Sequence, residues 1–219
     1  MKNLVKVLSV LLICLFSSQT IAQVIGVRGG LNLSDAVMKD DDGDYSDETK
    51  MIPGFHVGVI LDLPLNEIFS VETGLMLDTK GTKMDESDEG MSYESKIITY
   101  YLDIPVTLKL TQELQSGMKI FGNVGPYVGY GLSGKDKWEY SGEGYSESGT
   151  DDIEWGSGDD DHLKRLDFGL TAGAGVVVNN VIVGVSYDLG LANISSYTDY
   201  GTKIQNQVLR LSVGYWFGN

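Results

Sequence analysis

The chain is poor in the residues that commonly staple or power a protein of its size. It has one cysteine, four prolines and two histidines in 219 residues. A lone cysteine, Cys14, allows no internal disulfide. Cations are scarce as well: 16 Lys and Arg face 31 Asp and Glu, a formal charge of -15. A nucleic-acid backbone is held by clusters of Lys and Arg, so that balance excludes nucleic acid as a partner. Apolar content is ordinary, at 42%, and no long stretch keeps a helical period, which excludes a helical membrane protein. In place of these the chain has 28 glycines and 12 tyrosines.

The one apolar run stands at the amino end. "MKNLVK" supplies positive charge through Lys2 and Lys6, "VLSVLLICLF" the apolar stretch, and "SSQTIAQ" small residues with a cut after Ala22. This is the pattern of a secretory signal peptide over residues 1–22. Cys14 lies inside it as apolar filler. A lipid-modified cysteine is the alternative, because Leu11 stands three residues before it, but Ile13 is too large for that position and Cys14 comes too early. Removing residues 1–22 takes away Lys2 and Lys6 and leaves 14 cations against 31 carboxylates, or -17.

From residue 23 onward one pattern recurs: apolar residues alternate with small or polar ones, between turns or acidic loops. It predicts eight strands near Val24–Asp35, Gly54–Leu63, Phe69–Thr79, Lys96–Leu110, Met118–Leu132, Arg165–Val178, Val181–Leu191 and Ile204–Phe217. Side chains in a strand point alternately to its two faces. In "YYLDIPVTLKL", Tyr100, Leu102, Ile104, Val106, Leu108 and Leu110 share one face, and Tyr101, Asp103, Pro105, Thr107 and Lys109 the other. In "VLRLSVGYWF", Leu209, Leu211, Val213, Tyr215 and Phe217 oppose Arg210, Ser212, Gly214 and Trp216. Such strands suit either a soluble sandwich, apolar face inward, or a membrane barrel, apolar face toward lipid.

The connections separate the two. Ala36–Pro53, Lys80–Ser95, Ser133–Lys164 and Ala192–Lys203 are long; Pro64–Ile68, Thr111–Gly117 and Asn179–Asn180 are short. Long and short alternate along the chain, as in an up-and-down barrel with short periplasmic turns and long outer loops. A Greek-key sandwich gives no such alternation. Tyr100, Tyr101, Phe69, Tyr127, Tyr130, Tyr187, Tyr215, Trp216 and Phe217 lie along or near strand ends, where interface girdles would place them. The expected fold is all-β: an eight-stranded antiparallel up-and-down transmembrane barrel over residues 23–219, with long acidic extracellular loops, in the cell outer membrane.

Several segments also resemble a known family. "GVRGGLNLS", "GFHVGVILDLPL", "SVETGLMLDTKG", "YYLDIPVTLKL", "NVGPYVGYGLSG", "LDFGLTAGAGV", "SYDLGLANIS" and "LRLSVGYWF" are similar to the PorT-like outer-membrane β-barrel family of Gram-negative bacteria. "YLDIPVTLK" and "GPYVGYGLSG" are the most specific, and the likeness covers most of residues 23–219. It implies an eight-stranded barrel in the outer membrane; it does not imply an activity, and it supplies no catalytic motif. It also implies partners: outer-membrane lipid and lipopolysaccharide, the assembly machinery that recognises a terminal aromatic strand, and an envelope or secretion machine. Here Phe217 is followed by Gly218 and Asn219, a small departure from a terminal aromatic.

An eight-stranded barrel is just wide enough for side chains to fill. Arg28, Glu72, Asp103, Lys109, Asp167, Asp188 and Arg210 fall on the inner face, where they form a plug of ion pairs or line an ion-selective lumen. Inner glycines (Gly74, Gly125, Gly169, Gly173, Gly184) leave room for large neighbours or sharp bends. Pro105 cannot donate to a ladder, which points to a bulge or to pairing that ends near the rim. The acidic loops, with Asp40, Asp41, Asp42, Asp44, Asp47 and Glu48 in the first and Asp151, Asp152, Asp159, Asp160 and Asp161 in the longest, read as solvated segments with little apolar surface to pack. "DDDGD" places Asp40, Asp42 and Asp44 at alternate positions, faintly like a calcium loop, without the downstream glutamate. His56 reads as an interior or rim residue and His162 as a loop residue with no spaced nucleophile. No catalytic, cofactor or metal residue is named. The expected function is structural or interactive (envelope integrity, adhesion, or partnership with an envelope machine), with a small-solute channel or ligand binder as the alternative.

Overall fold

A computed structural model describes residues 23–46, 48–88, 90–142, 144–158 and 161–218, the side chain of Asp88 excepted. Residues 1–22, where the sequence suggests a signal peptide that includes Cys14, and the carboxylates Asp47, Glu89, Glu143, Asp159 and Asp160 lie outside the described residues.

Strand β1 (Val24–Lys39) pairs with β3 (Ile52–Pro64), β3 with β4 (Phe69–Asp88), and β4 with β5 (Met91–Glu113). The ring continues through β6 (Lys119–Gly142), β8 (Leu166–Val178), β9 (Val181–Gly190) and β10 (Lys203–Trp216), and β10 closes it on β1. All eight pairings are antiparallel and follow chain order, which makes an up-and-down barrel. Two further strands lie off the ring: β2 (Thr49–Lys50) on β4 and β7 (Tyr145–Asp152) on β6.

The faces are arranged as the alternation requires. Leu31, Leu211 and Val213 are 67%, 56% and 60% exposed, with Val57, Val106, Leu170 and Val185 also outward. Between them Asp103, Lys109, Asp167 and Asp188 are buried. A closed ring leaves no unpaired ladder edge in the span, so an apolar exterior and a polar interior suit lipid. At the short-turn end the interior is sealed by Ile60, Met76, Phe121, Val177, Ile182 and Trp216.

Three expectations change. First, Tyr101, Tyr127 and Trp216 are buried inside the barrel and belong to no girdle; Phe69, Tyr130, Tyr187, Tyr215 and Phe217 do face outward. Period two had already placed Tyr101 and Trp216 beside Asp103 and Arg210. Second, Pro105 marks neither a bulge nor the rim. The β4 ladder pairs Thr73 with Val106 and resumes at Met76 with Asp103, in unchanged register, skipping the stretch where proline has no N–H. The Thr73 hydroxyl donates to the Pro105 carbonyl at 2.7 Å, and the bulge lies instead in β6 at Leu132, opposite Tyr100–Tyr101.

Third, much of the expected long loops is strand. β5 and β6 run 23 and 24 residues, about twice the 9–11 needed to cross a bilayer. Lys80–Ser95 is the hairpin of β4 and β5, and Ser133–Asp152 is largely the hairpin of β6 and β7, turning at Gly90 and Gly144 with φ of 88° and 85°. Charge density suggested loop, yet a ladder already begun in the barrel continues into water because Ser, Thr, Tyr and charged residues alternate compatibly with it. The rest of the longest connection is not simply solvated. Ile153 and Leu163 are buried with Ala192 and Ile194, and Trp155, Ile97 and Ile204 pack against them over the barrel's long-hairpin end.

Replacing Leu211 or Val213 by Arg should weaken the folded barrel by roughly 2–4 kcal/mol near the bilayer midplane. Ser212→Ala, which loses one hydrogen bond to His56, should cost about 1 kcal/mol. Urea unfolding in lipid vesicles, followed by the heat-dependent gel shift, measures both, and equal tolerance on the two faces would contradict the inside-out arrangement.

Candidate functional site: the charged interior

Arg210 sits on β10, and four strands around the ring in either direction lies β5. Its guanidinium crosses the lumen. Nη2 donates to Asp103 of β5 at 3.2 Å and Nε to Asp78 of β4 at 3.0 Å, while Nη1 pairs with Asp188 of the neighbouring β9. A planar fork with five donors suits several carboxylates at once.

Lys80 is wholly buried and works beside it. Its ammonium lies 2.9 Å from both Asp103 and Asp167, and 4.7 and 4.6 Å from the ring centres of Tyr101 and Tyr127. Two carboxylates and two aromatic faces together replace the water a lysine gives up on burial. Asn206 donates to Asp167 at 3.0 Å, and Asn32 to Asp78 at 3.3 Å. The space comes from glycine: a Cβ on Gly129 would stand 2.3 Å from Asp103 Oδ1, and one on Gly169 would stand 2.8 Å from the Tyr127 ring.

Nearer the short turns is a second cluster. Arg28 reaches Glu72 at 2.7 Å, and Lys109 joins Glu72 at 3.1 Å to Asp62 at 3.4 Å. The Lys109 ammonium also stands 4.8 Å from the Trp216 ring and 5.2 Å from that of Phe121. His56 links the walls as well: Asn32 Oδ1 lies 2.6 Å from its Nδ1, and the Ser212 hydroxyl 2.9 Å from its Nε2. A cavity of about 60 Å³ remains between the clusters, bordered by Arg28, His56, Glu72 and Arg210.

All seven inner charges expected from the alternation meet here. The sequence reading missed Asp78 and Lys80. Both share the parity of Glu72 on β4, which is the signal that finds them; Lys80 opens the Lys80–Ser95 connection, where the acidic residues that follow suggest a loop. Asp62 was missed beside the Pro64 turn. The other singled-out residues lie elsewhere. Asp40 accepts from the backbone amides of Asp42 and Gly43 at 2.8 and 2.9 Å, closing its own turn. Asp44 pairs with Lys39 at 2.7 Å and accepts from Ser46, contacts that hold its carboxyl down at about 2. These two carboxylates are therefore engaged locally. His162 Nδ1 accepts from the Glu154 amide at 3.1 Å, so it serves the rim segment.

The arrangement can fill and rigidify a barrel. Solved structures similar to the chain include Ail, the attachment invasion locus protein of Yersinia pestis (16% identity, 91% of this chain and all of that one, TM-score 0.33). Neisserial surface protein A is 12% identical over 87% of this chain and 96% of its own, with a TM-score of 0.41. The outer membrane protease OmpT of Escherichia coli is 12% identical over 92% and 99%, with a TM-score of 0.30. No curated protein sequence matches. A family model described as "Outer membrane protein beta-barrel domain" matches residues 18–196, most of the chain, and the protein belongs to that family.

Proposed function

We propose that this outer-membrane protein is a closed, non-enzymatic barrel that anchors an interaction surface at its long-hairpin end, and that it does not conduct solutes. One contact carries the reading: Arg210 to Asp103, a charged pair spanning the lumen from β10 to the opposite strand β5. A side chain held across the full diameter, with Lys80 packed beside it, occupies the path a solute would take. The long-hairpin end faces the exterior and the short turns the periplasm, as in outer-membrane barrels generally. Residues 1–22 act as the export signal. Within the family the likeness of "YLDIPVTLK" and "GPYVGYGLSG" supports a PorT-like member, with lipopolysaccharide around its outer half and a partner in the envelope.

The intact protein in planar bilayers should give no unitary current steps. Regular steps of fixed amplitude would overturn the closed-lumen reading in favour of the small-solute channel. Lys80→Met strips Asp103 and Asp167 of their shared cation and should destabilise the barrel by about 3–5 kcal/mol in urea unfolding. A loss below about 1 kcal/mol, the scale of an exposed pair, would show that the cluster does not organise the interior.

Orientation is tested separately. Protease added to intact cells should cut within Ser133–Lys164 and spare Thr111–Gly117. Cutting at the short turns of intact cells would reverse the topology.

A further inference from the structure

Past Asp78, β4 leaves β3, and past Tyr130, β6 leaves β8. From there β4, β5, β6 and β7 continue as a four-stranded sheet beyond the barrel, with β2 on its first strand. Thr82–Asp88 alone carries it about 20 Å outward.

The register sorts this sheet into two unlike faces. Cross-strand partners share a face, which places Met84 and Glu86 with Met91 and Tyr93, then with Trp138 and Tyr140, then with Tyr145, Glu147 and Asp151. The packing agrees: a Cβ on Gly149 would lie 2.5 Å from the Trp138 ring, and one on Gly142 would lie 3.0 Å from Met91. The opposite face holds Lys83, Lys96, Lys135 and Lys137 with Asp85, Glu94, Glu139 and Asp152. Its charges neutralise one another, through Lys83 with Glu94 at 2.7 Å and with Asp85 at 3.2 Å, and through Lys135 with Asp152 at 3.8 Å.

The sheet's cations are thus confined to one face, while the other joins aromatic rings to carboxylates. Among the described side chains of β4–β7 from Thr82 outward, that second face has no Lys or Arg. Three of its apolar residues are open to solvent, Met91 48%, Tyr93 41% and Tyr145 58% exposed, and Met84, Trp138 and Tyr140 are partly exposed. Its carboxylates are held in place from within the face, Asp151 by the Trp138 indole N–H at 2.8 Å and Glu147 by the Tyr145 hydroxyl. Exposed apolar surface rimmed by charge marks an interaction site. Ring faces and fixed carboxylates both attract cations, and desolvation between them strengthens both effects. A neutral sugar would use the rings but has no need of such segregated charge.

We propose that this aromatic, acidic sheet face docks an extended Lys- and Arg-rich segment of a partner protein. In the cell the proposal rests on the exterior placement of the long hairpins. The test below uses detergent-solubilised protein, where the face is accessible in either orientation, so its failure is distinct from a failure of topology or of lumen closure.

The full chain in detergent micelles is titrated against a fluorescent peptide of alternating arginine and serine, read by anisotropy. The expected result is saturable binding that weakens with salt. Tyr93→Ala with Trp138→Ala should weaken it about tenfold, the scale of two cation–π contacts. Glu147→Gln with Asp151→Asn should do the same, whereas the charge-matched pair Glu94→Gln with Glu139→Gln on the other face should change it less than about twofold. The heat-dependent gel shift confirms that each variant retains the barrel. Equal weakening by both charge-removing pairs would reduce the effect to diffuse acidity and overturn the proposal. So would absence of peptide binding, or salt-insensitive binding of a neutral oligosaccharide in its place.

Discussion

Two cations, Lys80 and Arg210, hold four carboxylates in the middle of the barrel: Asp78, Asp103, Asp167 and Asp188. Burying any one of these charges alone would cost several kcal/mol. Once the outer face is given to lipid, the inner face must absorb the polar side chains, and absorbing them requires pairing across strands distant in sequence. The cluster also resists a slip in register. Moving β5 by one residue against its neighbours would turn Asp103 and Lys109 toward lipid and Ile104 and Leu108 into the charged interior. The same interaction that fills the lumen therefore fixes how the strands align.

The scarcity of cysteine and proline is consistent with this mode of stability. A closed antiparallel ring satisfies its backbone through its own ladder, so it depends little on covalent staples. Pro105 interrupts that ladder for a few residues and is tolerated because pairing resumes in the same register and the Thr73 hydroxyl takes the Pro105 carbonyl. The aromatics divide into two kinds with different physics. Phe69, Tyr130, Tyr187 and Tyr215 face outward, while Tyr101, Tyr127, Phe121 and Trp216 turn their rings to buried ammonium groups.

The two ends of the barrel differ in kind. The short-turn end is closed by apolar packing around Trp216 and Phe121. The other end carries a second apolar lid, built around Ile153 and Leu163, and the protruding sheet. Arg165 belongs to that rim. Its guanidinium donates to the Gly131 carbonyl at 2.8 Å and lies 5.5 Å from the Trp155 ring, tying the connecting segment to β6. The long acidic connection is thus anchored where it meets the barrel, and charge dominates only farther along it.

The sequence by itself determined which way the strand residues face. Alternation is local, so Asp103, Lys109, Asp167, Asp188 and Arg210 could be placed inside, and Leu211 and Val213 outside, from period two alone. It also determined the number of ring strands, because turn residues interrupt the alternation seven times. It did not disclose that β4–β7 run on as a paired sheet: in water no lipid enforces an apolar face, and the hydrophobic signal fades while the ladder persists. Nor could it pair the interior charges. Arg210 meets Asp103 across 107 residues of chain, and Lys80 meets Asp167 across 87, because closure of the ring brings opposite walls together. Those partnerships are decided by strand number, stagger and the room left at Gly129 and Gly169, which are properties of the closed barrel and of no single strand.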